Sequence, residues 1–194
     1  MSTPVIGIAG WKNSGKTTLV TKLIGELTQR GLRVASVKHA HHEADIDHDG
    51  TDTFRHRKAG AVEVALVTSQ RWALIHELGG TAEPALEETL LRLSPSDIVI
   101  VEGYKREPIP KIEARRLAAA KSDALAPQDS TIIAVAADHD ADGAGRPVFD
   151  LNDVADICDF IVAHFGLQSR LHEVLNAAKV RATEPASVGD TKAS

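Results

Sequence analysis

The sequence predicts an α/β protein in which helices cover both faces of a mostly parallel β-sheet. Apolar runs alternate with segments whose leucines recur at helical spacing, and this alternation is typical of a parallel sheet. Several apolar runs end in glycine or in charged residues, as strands do when they end at a ligand site. Since 43% of the 194 residues are hydrophobic, the chain can bury one sizeable core. We expect one domain over residues 1–180, followed by a small, polar, disordered tail over 181–194.

The first elements of the chain are a strand, a helix and a second strand. Residues 4–10 are an apolar run that ends in glycine, which is the pattern of a buried strand. Leucines spaced by four give residues 17–30 one apolar helical face, and Gly31 follows as the candidate C-cap. The apolar run 32–39 is then predicted to be the second strand.

The middle of the chain contains a second group of elements. A short helix is predicted to begin at Thr51 or Asp52, either of which can cap it. Residues 62–78 are predicted to form two strands or a hairpin. Residues 84–93 are predicted to be helical, and residues 97–103 form an apolar strand with an acid at its end.

The last third of the chain contributes one more strand and two helices. Residues 131–138 are an apolar strand, and residues 151–167 form a helix with Asn152 as the candidate N-cap. A last helix is predicted around residues 171–178. The single cysteine, Cys158, excludes an internal disulfide and any paired-cysteine metal or redox site, so we expect a small core residue.

The segment "GWKNSGKT", residues 10–17, fits the phosphate-loop pattern G-x-x-x-x-G-K-[ST] and lies between a predicted strand and a predicted helix. Gly10 and Gly15 permit the tight turn and the close approach of phosphate oxygens. The helix N-terminus favours an anion. Lys16 can reach the β- and γ-phosphates, and the Thr17 hydroxyl can bind Mg²⁺. The pattern therefore predicts nucleotide binding. Lys12 has two possible roles: it can contact phosphate or a neighbouring subunit, or it can be an ordinary solvated lysine.

A phosphate-loop site also needs an acid at the end of a nearby strand to hold Mg²⁺. Glu102 ends the run "IVIVE" and is the candidate, as a direct ligand or through water. The following segment, residues 103–116, is predicted to be a loop stiffened by prolines. This loop is basic because it contains Lys105, Arg106 and Lys111, which suits an anionic ligand. The same composition is also typical of an ordinary solvated loop.

The sequence contains no N-K-x-D motif, which commonly reads guanine. Asp138 ends a late strand, where a base contact is expected, and Asp140 is the next candidate. Aspartates are also common in turns for local reasons, so both interpretations stay open.

The segment "KHAHHEADIDHDG", residues 38–50, has the composition of a metal site. Calcium is unfavourable because His56 occupies the twelfth loop position, where an EF-hand needs glutamate. The interpretation as a zinc or nickel site is weakened for two reasons. The adjacent side chains of His41 and His42 diverge on an extended chain, and no cysteine accompanies them. Because the segment follows the second strand, it is a candidate switch loop for a nucleotide, and a mobile polar loop is the alternative.

These segments together resemble the MobB family, the molybdopterin-guanine dinucleotide biosynthesis protein B. The resemblance rests on residues 10–19, 37–61, 71–77 and 101–113, in the family's order. The most specific part is the pattern H-H-x-x-D-x-D-x-x-G-x-D-[ST]-[FY]-x-x-R-K-A-G-A. It falls on His41, His42, Asp45, Asp47, Gly50, Asp52, Thr53, Phe54, Arg57, Lys58, Ala59, Gly60 and Ala61.

The resemblance implies a three-layer P-loop NTPase fold with an extra β-hairpin that pairs subunits in a homodimer. It implies a cytoplasmic GTP-binding adaptor with weak GTPase activity, which assists the guanylyltransferase that joins GMP to molybdopterin. Nucleic acid and membranes are not expected partners, because the net charge is -5 and no apolar segment approaches the ~20 residues that span a bilayer.

The resemblance also implies roles for individual residues. The nucleotide would be bound by Gly10, Trp11, Lys12, Asn13, Ser14, Gly15, Lys16, Thr17 and Thr18, with Asp138 as the base candidate. Mg²⁺ would be held by Thr17 and Glu102. Lys16 and Asp47 would serve hydrolysis. Contacts to the pterin or the partner protein are expected from His39, His42, Asp45, Asp47, Asp52, Arg57 and Lys105.

Two alternatives stay open at this point. A GTPase metallochaperone for nickel or zinc is supported only by the histidine-rich segment. A small-molecule P-loop kinase would need an arginine-rich lid, for which residues 105–116 are a poor match.

Overall fold

The computed structural model describes residues 3–40, 46–119 and 123–183. The chain divides into two compact units, one made of the residues up to His39 together with those from Leu93 onward, the other of Ala40–Arg92. In chain order the elements are β1 (Val5–Ala9), α1 (Lys16–Gln29), β2 (Val34–Lys38), α2 (Asp52–Lys58), β3 (Glu63–Val67), β4 (Trp72–His76), α3 (Leu86–Leu91), β5 (Ile98–Glu102), β6 (Lys111–Arg115), β7 (Ile132–Ala137), β8 (Val148–Asp150), α4 (Val154–His164) and α5 (Gln168–Thr183).

The first unit is built on a six-stranded sheet in the order β2-β5-β1-β6-β7-β8, and every neighbouring pair is parallel. The predicted α/β fold with a mostly parallel sheet is therefore confirmed. β1 lies between β5 and β6, where Ile8 pairs with Glu102 and Ala9 with Glu113. The carboxyl ends of these three strands therefore meet at one edge, which is where α/β sheets bind ligands.

The core of the first unit lies between the sheet and α1 with α4. Ile6 and Ile8 of β1 and Leu23 and Leu27 of α1 are fully or almost fully buried in it. Each such side chain contributes about 1.5–3 kcal/mol by leaving water. Cys158 belongs to this core, and burial raises the pKa of its thiol to about 12. The expectation that it is a core residue is therefore confirmed.

β6 was not predicted, because its sequence "KIEAR" was assigned to a basic loop. Lys111 is only 2% exposed, and its ammonium lies 3.1 Å from Asp129 Oδ2 and also donates to Thr131. Glu113 is also buried and accepts a hydrogen bond from Arg115. The assignment of Lys111 to a solvated basic loop is wrong, because a buried charge is stable in a sheet when it is paired and hydrogen-bonded.

The C-terminal elements differ from the prediction in two details. The short strand β8 was not predicted, and Asp153 caps α4 in place of Asn152, since its side chain accepts from the Asp156 N–H at 3.2 Å. The Asn152 N–H donates to Asp150 Oδ1 at 2.7 Å. α5 extends to Thr183, and residues 184–194, with most of the predicted tail, lie outside the described residues.

The second unit contains the predicted hairpin and the predicted short helix. β3 and β4 pair antiparallel, with Val64 opposite Ile75 and Val67 opposite Trp72. Thr51, one of the two predicted candidates, caps α2 by accepting from the Phe54 N–H at 3.3 Å. In neither unit does a helix within the described ranges have the length and apolar character needed to cross a bilayer.

Candidate functional site

The loop between β1 and α1 requires its two motif glycines. Gly10 has φ 144°, and a Cβ there would overlap Ser14 Oγ and lie 2.5 Å from the Ala114 carbonyl oxygen. Gly15 has φ 88°, and Asn13 has φ 64°, in the left-handed region that asparagine tolerates better than most residues. Successive turns of this kind form the concave backbone path that binds anions. The loop therefore has the backbone geometry that its sequence predicts.

Lys16 begins α1 and closes the loop on itself. Its ammonium donates to the Trp11 carbonyl oxygen at 2.6 Å. Burial lowers the pKa of Lys16, and the charges of Lys105 and Lys38 lower it further, while Glu102 acts in the opposite direction. This cation is therefore partly desolvated and surrounded by more positive than negative charge, so an anion nearby would be stabilised.

Thr17 and Glu102 form the acidic end of the site. The Thr17 hydroxyl donates to Glu102 Oε1 at 2.7 Å, and Lys38 Nζ lies 3.9 Å from the same oxygen. Glu102 is 8% exposed and ends β5 next to β1. A hydroxyl and a carboxylate oxygen at this distance suit Mg²⁺, which takes few protein ligands when phosphates and waters complete its shell.

A cavity of about 330 Å³ opens over the start of α1. It is lined by Asn13, Gly15, Lys16, Thr17, Thr18 and Arg116. All but Arg116 are among the nucleotide-binding residues that the sequence analysis predicts. Arg116 follows β6, and no motif in the sequence distinguished it from the other basic residues of that segment. Lys12, the remaining lysine of the loop, is exposed.

Trp11 lies at the other side of the loop. Its indole N–H donates to the Asp123 carbonyl oxygen at 2.6 Å, and Lys105 Nζ lies 4.2 Å from the centre of its ring. A smaller cavity of about 50 Å³ adjoins it, with Ser14 and His139 among the lining residues. The aromatic ring and the ammonium are thus held together, although sequence reasoning treated Trp11 and Lys105 separately.

The Asp138 carboxylate lies after β7 and has two local partners. Its Oδ1 lies 3.0 Å from His139 Nδ1 and accepts from the Leu117 N–H at 2.9 Å. These hydrogen bonds lower the pKa of Asp138, the one from His139 most. The carboxylate therefore stays ionised and tethers the segment after β6. Its contact with a base stays a prediction.

His39 follows β2 and lies beside the site. Its backbone N–H donates to the Glu102 carbonyl oxygen at 2.8 Å, and its ring lies 4.8 Å from the Tyr104 ring, centre to centre. Gly103 has φ 104°, and a Cβ there would lie 2.7 Å from the His39 carbonyl oxygen. The chain after β5 therefore passes close to the backbone after β2.

Asp47 organises the described part of the histidine-rich segment in the second unit. Its Oδ1 accepts from the hydroxyls of Thr51 and Thr53 at 2.8 and 3.0 Å, and Arg57 NH1 lies 3.9 Å from Oδ2. Burial opposes ionisation of Asp47, but these hydrogen bonds, one from the His48 N–H and the charge of Arg57 outweigh it and lower its pKa. Asp47 is thus an ionised acceptor that holds the start of α2.

The other predicted residues of this segment have less defined positions. Asp52 is exposed, and Arg55 NH1 lies 3.7 Å from it. Arg57 also pairs with Glu77 at 2.7 Å. His42 and Asp45 lie outside the described residues. Within the ranges 3–40, 46–119 and 123–183, no three or more His, Cys, Asp or Glu side chains are grouped to hold a metal ion.

Comparison with known proteins identifies one family. The sequence model of "Molybdopterin guanine dinucleotide synthesis protein B", MobB, matches residues 5–138. The chain is 39% identical over 161 residues to a molybdopterin-guanine dinucleotide biosynthesis adapter protein of Haemophilus influenzae, covering 81% of this chain and 87% of that protein. It is 38% identical to the adapter protein of Escherichia coli, covering 82% and 91%.

Solved structures agree with the sequence comparison. A crystal structure of molybdopterin-guanine biosynthesis protein B has a TM-score of 0.61 at 28% identity and covers 82% of this chain and 98% of that chain. The MobB homologue from Bacillus stearothermophilus has a TM-score of 0.60 at 28% identity, covering 82% and 96%. The resemblance that the sequence motifs indicated is therefore confirmed.

Two glycines of the first unit provide a matched test of the loop geometry. We expect Gly10→Ala to lower the free energy of unfolding by roughly 2–4 kcal/mol, because a Cβ at φ 144° meets Ser14 and Ala114. Gly25→Ala should raise it by about 0.5–1 kcal/mol, since Gly25 lies inside α1 with open space around it. Urea denaturation measures both. Equal effects of the two substitutions would contradict the close approach at Gly10.

Proposed function

The chain belongs to the molybdopterin guanine dinucleotide synthesis protein B (MobB) family, and on that premise we propose that it is a GTP-binding adaptor in the synthesis of this cofactor. Its partner would be the guanylyltransferase that joins GMP to molybdopterin, and its location the cytoplasm. The observation that carries the nucleotide part of the proposal is the loop of residues 10–17, whose Thr17 hydroxyl meets Glu102 at 2.7 Å.

The charges around the loop support a polyphosphate ligand. Burial is the largest cause of the lowered pKa of Lys16, the charges of Lys105 and Lys38 lower it further, and Glu102 is the acid that opposes them. A triphosphate bound in the 330 Å³ cavity would offset this positive charge. Lys16 would exchange its bond to the Trp11 carbonyl for the β- and γ-phosphates, as phosphate-loop lysines do.

Mg²⁺ is the second component of the proposed site. The Thr17 hydroxyl oxygen would be a ligand of the ion. Glu102 would bind the ion either directly or through a bound water. When bound, the ion would neutralise charge on the β- and γ-phosphates. The short distance between the Thr17 and Glu102 oxygens supports this assignment, because both donors then face one position.

Weak hydrolysis is consistent with the side chains around the site. Lys16 would stabilise the charge that develops on the phosphates. Asp45 and Asp47 stay the candidates for positioning water; Asp45 lies outside the described residues, and the lowered pKa of Asp47 supports an ionised acceptor. The Oδ1 of Asp47 already accepts from two hydroxyls, which would leave that oxygen little capacity to orient water. These bonds favour GTP binding, with slow turnover, as the main property of the chain.

Contacts to the pterin or the guanylyltransferase are proposed for His39, Asp52, Arg57 and Lys105, with His42 and Asp45. Lys105 lies against the Trp11 ring at the edge of the sheet where a ligand would bind, which supports its place in this group. The metallochaperone and kinase alternatives are not favoured, because the matched relatives are adapter proteins of molybdopterin-guanine dinucleotide synthesis.

A homodimer is proposed through one face of the β3–β4 hairpin. Val67, Trp72 and Leu74 lie on this face and are 74%, 68% and 51% exposed. Burying such side chains is favourable by about 25 cal/mol per Å². A second copy of the same face would bury them symmetrically, in the manner of a two-fold interface.

The function is tested by GTP binding together with guanylyltransferase assistance. We expect Lys16→Ala to lower GTP affinity by about 100-fold or more, because it removes a charge-assisted contact to the β- and γ-phosphates. Lys22→Ala is the matched control, since Lys22 is an exposed lysine of α1 that lines neither cavity. The measurements are calorimetric titration with GTP and competition by ATP, then formation of molybdopterin guanine dinucleotide by the transferase with each variant added.

Three results would count against this function. The first is unchanged GTP affinity in the Lys16 variant. The second is equal competition by ATP. The third is cofactor formation that does not respond to the wild-type protein at all, which would leave a nucleotide-binding protein without the proposed adaptor role.

The Mg²⁺ assignment has its own matched pair of variants. Thr17→Val keeps the shape of the side chain but removes the hydroxyl ligand, so GTP affinity in Mg²⁺ should fall toward its value in EDTA. Thr21→Val should preserve the Mg²⁺ dependence, because the Thr21 hydroxyl donates only to the Thr17 carbonyl oxygen within α1. Titrations with GTP in Mg²⁺ and in EDTA give the ratio of the two GTP affinities for each variant. An unchanged ratio for the Thr17 variant would exclude this residue as a ligand.

The dimer interface is tested by charge insertion. We expect Trp72→Glu to shift the protein from dimer to monomer, because two copies of the new charge would meet across the two-fold axis. Leu91→Glu is the control, since Leu91 is 80% exposed but lies on α3 and not on the hairpin. Sedimentation velocity over a concentration series measures the change. A monomeric wild type, or a dimeric Trp72 variant, would contradict the interface.

A further inference from the structure

Arg116 reaches the phosphate loop from the side opposite the acidic end of the site. β6 pairs with β1 on one side and β5 pairs with it on the other. Glu102 ends β5, whereas Arg116 follows the last residue of β6. Because Ala9 is in register with Glu113, the chain after β6 emerges beside the start of the loop. The loop is therefore flanked by an acid on one side and by an arginine on the other.

The Arg116 guanidinium occupies the space that Gly15 leaves open. A Cβ on Gly15 would lie 2.7 Å from Arg116 Nε and 3.2 Å from Cζ. Gly15 also has φ 88°, so two separate constraints require glycine here. Arg116 is among the residues that line the 330 Å³ cavity over the start of α1, together with Lys16 and Thr17. The planar cation thus lies directly against the backbone that would hold phosphates.

The Arg116 Nε is buried and has no hydrogen-bond partner in the described part of the chain, although the charge of Arg116 is one of the influences that lower the pKa of Asp138. The Nε of Arg115 also has no partner, but its NH1 donates to the Asp142 carbonyl and its NH2 to Glu113, both at 2.7 Å. Arg146 is likewise held, through Nε, by the Ile132 carbonyl at 2.6 Å. A buried N–H of a guanidinium without an acceptor is costly unless a ligand supplies one.

We propose that Arg116 is a nucleotide-binding residue that donates to the α- and β-phosphates of the bound guanine nucleotide. The inference rests on the proposed function, since it needs a nucleotide in the loop. The glycine-rich part of a phosphate loop cradles the α- and β-phosphates, while the lysine and the hydroxyl that follow serve the β- and γ-phosphates and Mg²⁺. Arg116 lies against Gly15, on the side away from Glu102, and so belongs to the first group.

This position distinguishes Arg116 from an arginine that stabilises the transition state of hydrolysis. Such an arginine must reach the γ-phosphate, and it acts mainly on the rate of turnover. A donor to the α- and β-phosphates contacts groups that GDP and GTP share. Arg116 therefore contributes equally to the binding of both nucleotides and leaves the turnover of bound GTP unchanged.

The experiment compares Arg116→Gln, Arg116→Lys and Arg106→Gln with the wild type, all as the full chain. Arg106 is the matched control, an exposed arginine of the segment between β5 and β6 that is not among the lining residues of the cavity. GDP and GTP affinities are measured calorimetrically in Mg²⁺, and single-turnover hydrolysis gives the rate for bound GTP. Urea denaturation without nucleotide reports whether each variant folds.

We expect Arg116→Gln to weaken GDP and GTP binding by the same factor, about 10- to 100-fold, with turnover within about two-fold of the wild type. Arg116→Lys should recover part of the loss, because it restores the charge but not the planar pair of donors. Arg106→Gln should bind both nucleotides like the wild type. If Arg116→Gln does not fold, the same comparison is made with Arg116→Lys, in which both affinities should fall equally.

Two outcomes would overturn the inference while the proposed function stands. One is wild-type affinity for both nucleotides in the folded Arg116 variants. The other is a loss confined to GTP and accompanied by slower turnover, which would make Arg116 a γ-phosphate residue. A wild-type protein that binds neither nucleotide would instead remove the proposed function itself, and the inference with it.

Discussion

The close approach of the Gly10 backbone to the Ala114 carbonyl is the contact on which the site depends. A Cβ at Gly10 would lie 2.5 Å from that oxygen, so the loop and the end of β6 share a space that only glycine leaves open. Because β1 lies between β5 and β6, the same contact brings the residue after β6 next to the loop. A second glycine, Gly15, then makes room for Arg116. The two glycines of the motif thus shape the loop and also leave space for the Ala114 carbonyl and the Arg116 side chain.

The loop, its acid and the hairpin could be predicted from the sequence, because each depends on short-range chemistry. Glycine, lysine and threonine at fixed spacing specify a phosphate loop whatever surrounds them. Glu102 follows four apolar residues, so it had to lie at a strand end. The partners of these residues could not be predicted in the same way. The Trp11 indole donates to a carbonyl 112 residues away, and no local pattern encodes a backbone acceptor at that separation.

β6 could not be predicted because its charged residues are satisfied by tertiary contacts. Lys111 and Glu113 make the segment look solvated, yet Asp129 and Thr131 pair the lysine, and backbone N–H groups of Leu125 and Ala126 donate to the glutamate at 2.8 Å each. A strand in the middle of a parallel sheet normally reads as an apolar run. Arg116 follows this strand. Its position beside the loop could therefore not be predicted either, because it depends on a strand whose charged residues are paired only by tertiary contacts.

In the described part of the histidine-rich segment, the Asp47 carboxylate is held by donors of the chain itself. Asp47 was attractive because alternating aspartates are typical of metal-binding loops. In the structure its carboxylate accepts from Thr51, Thr53 and the His48 N–H, and Arg57 lies near it. These contacts favour the ionised form, so they act above the ordinary pKa of an aspartate and are lost as the pH falls through the lowered value. At neutral pH the Asp47 carboxylate therefore stabilises the start of α2 through hydrogen bonds to Oδ1 and the nearby charge of Arg57.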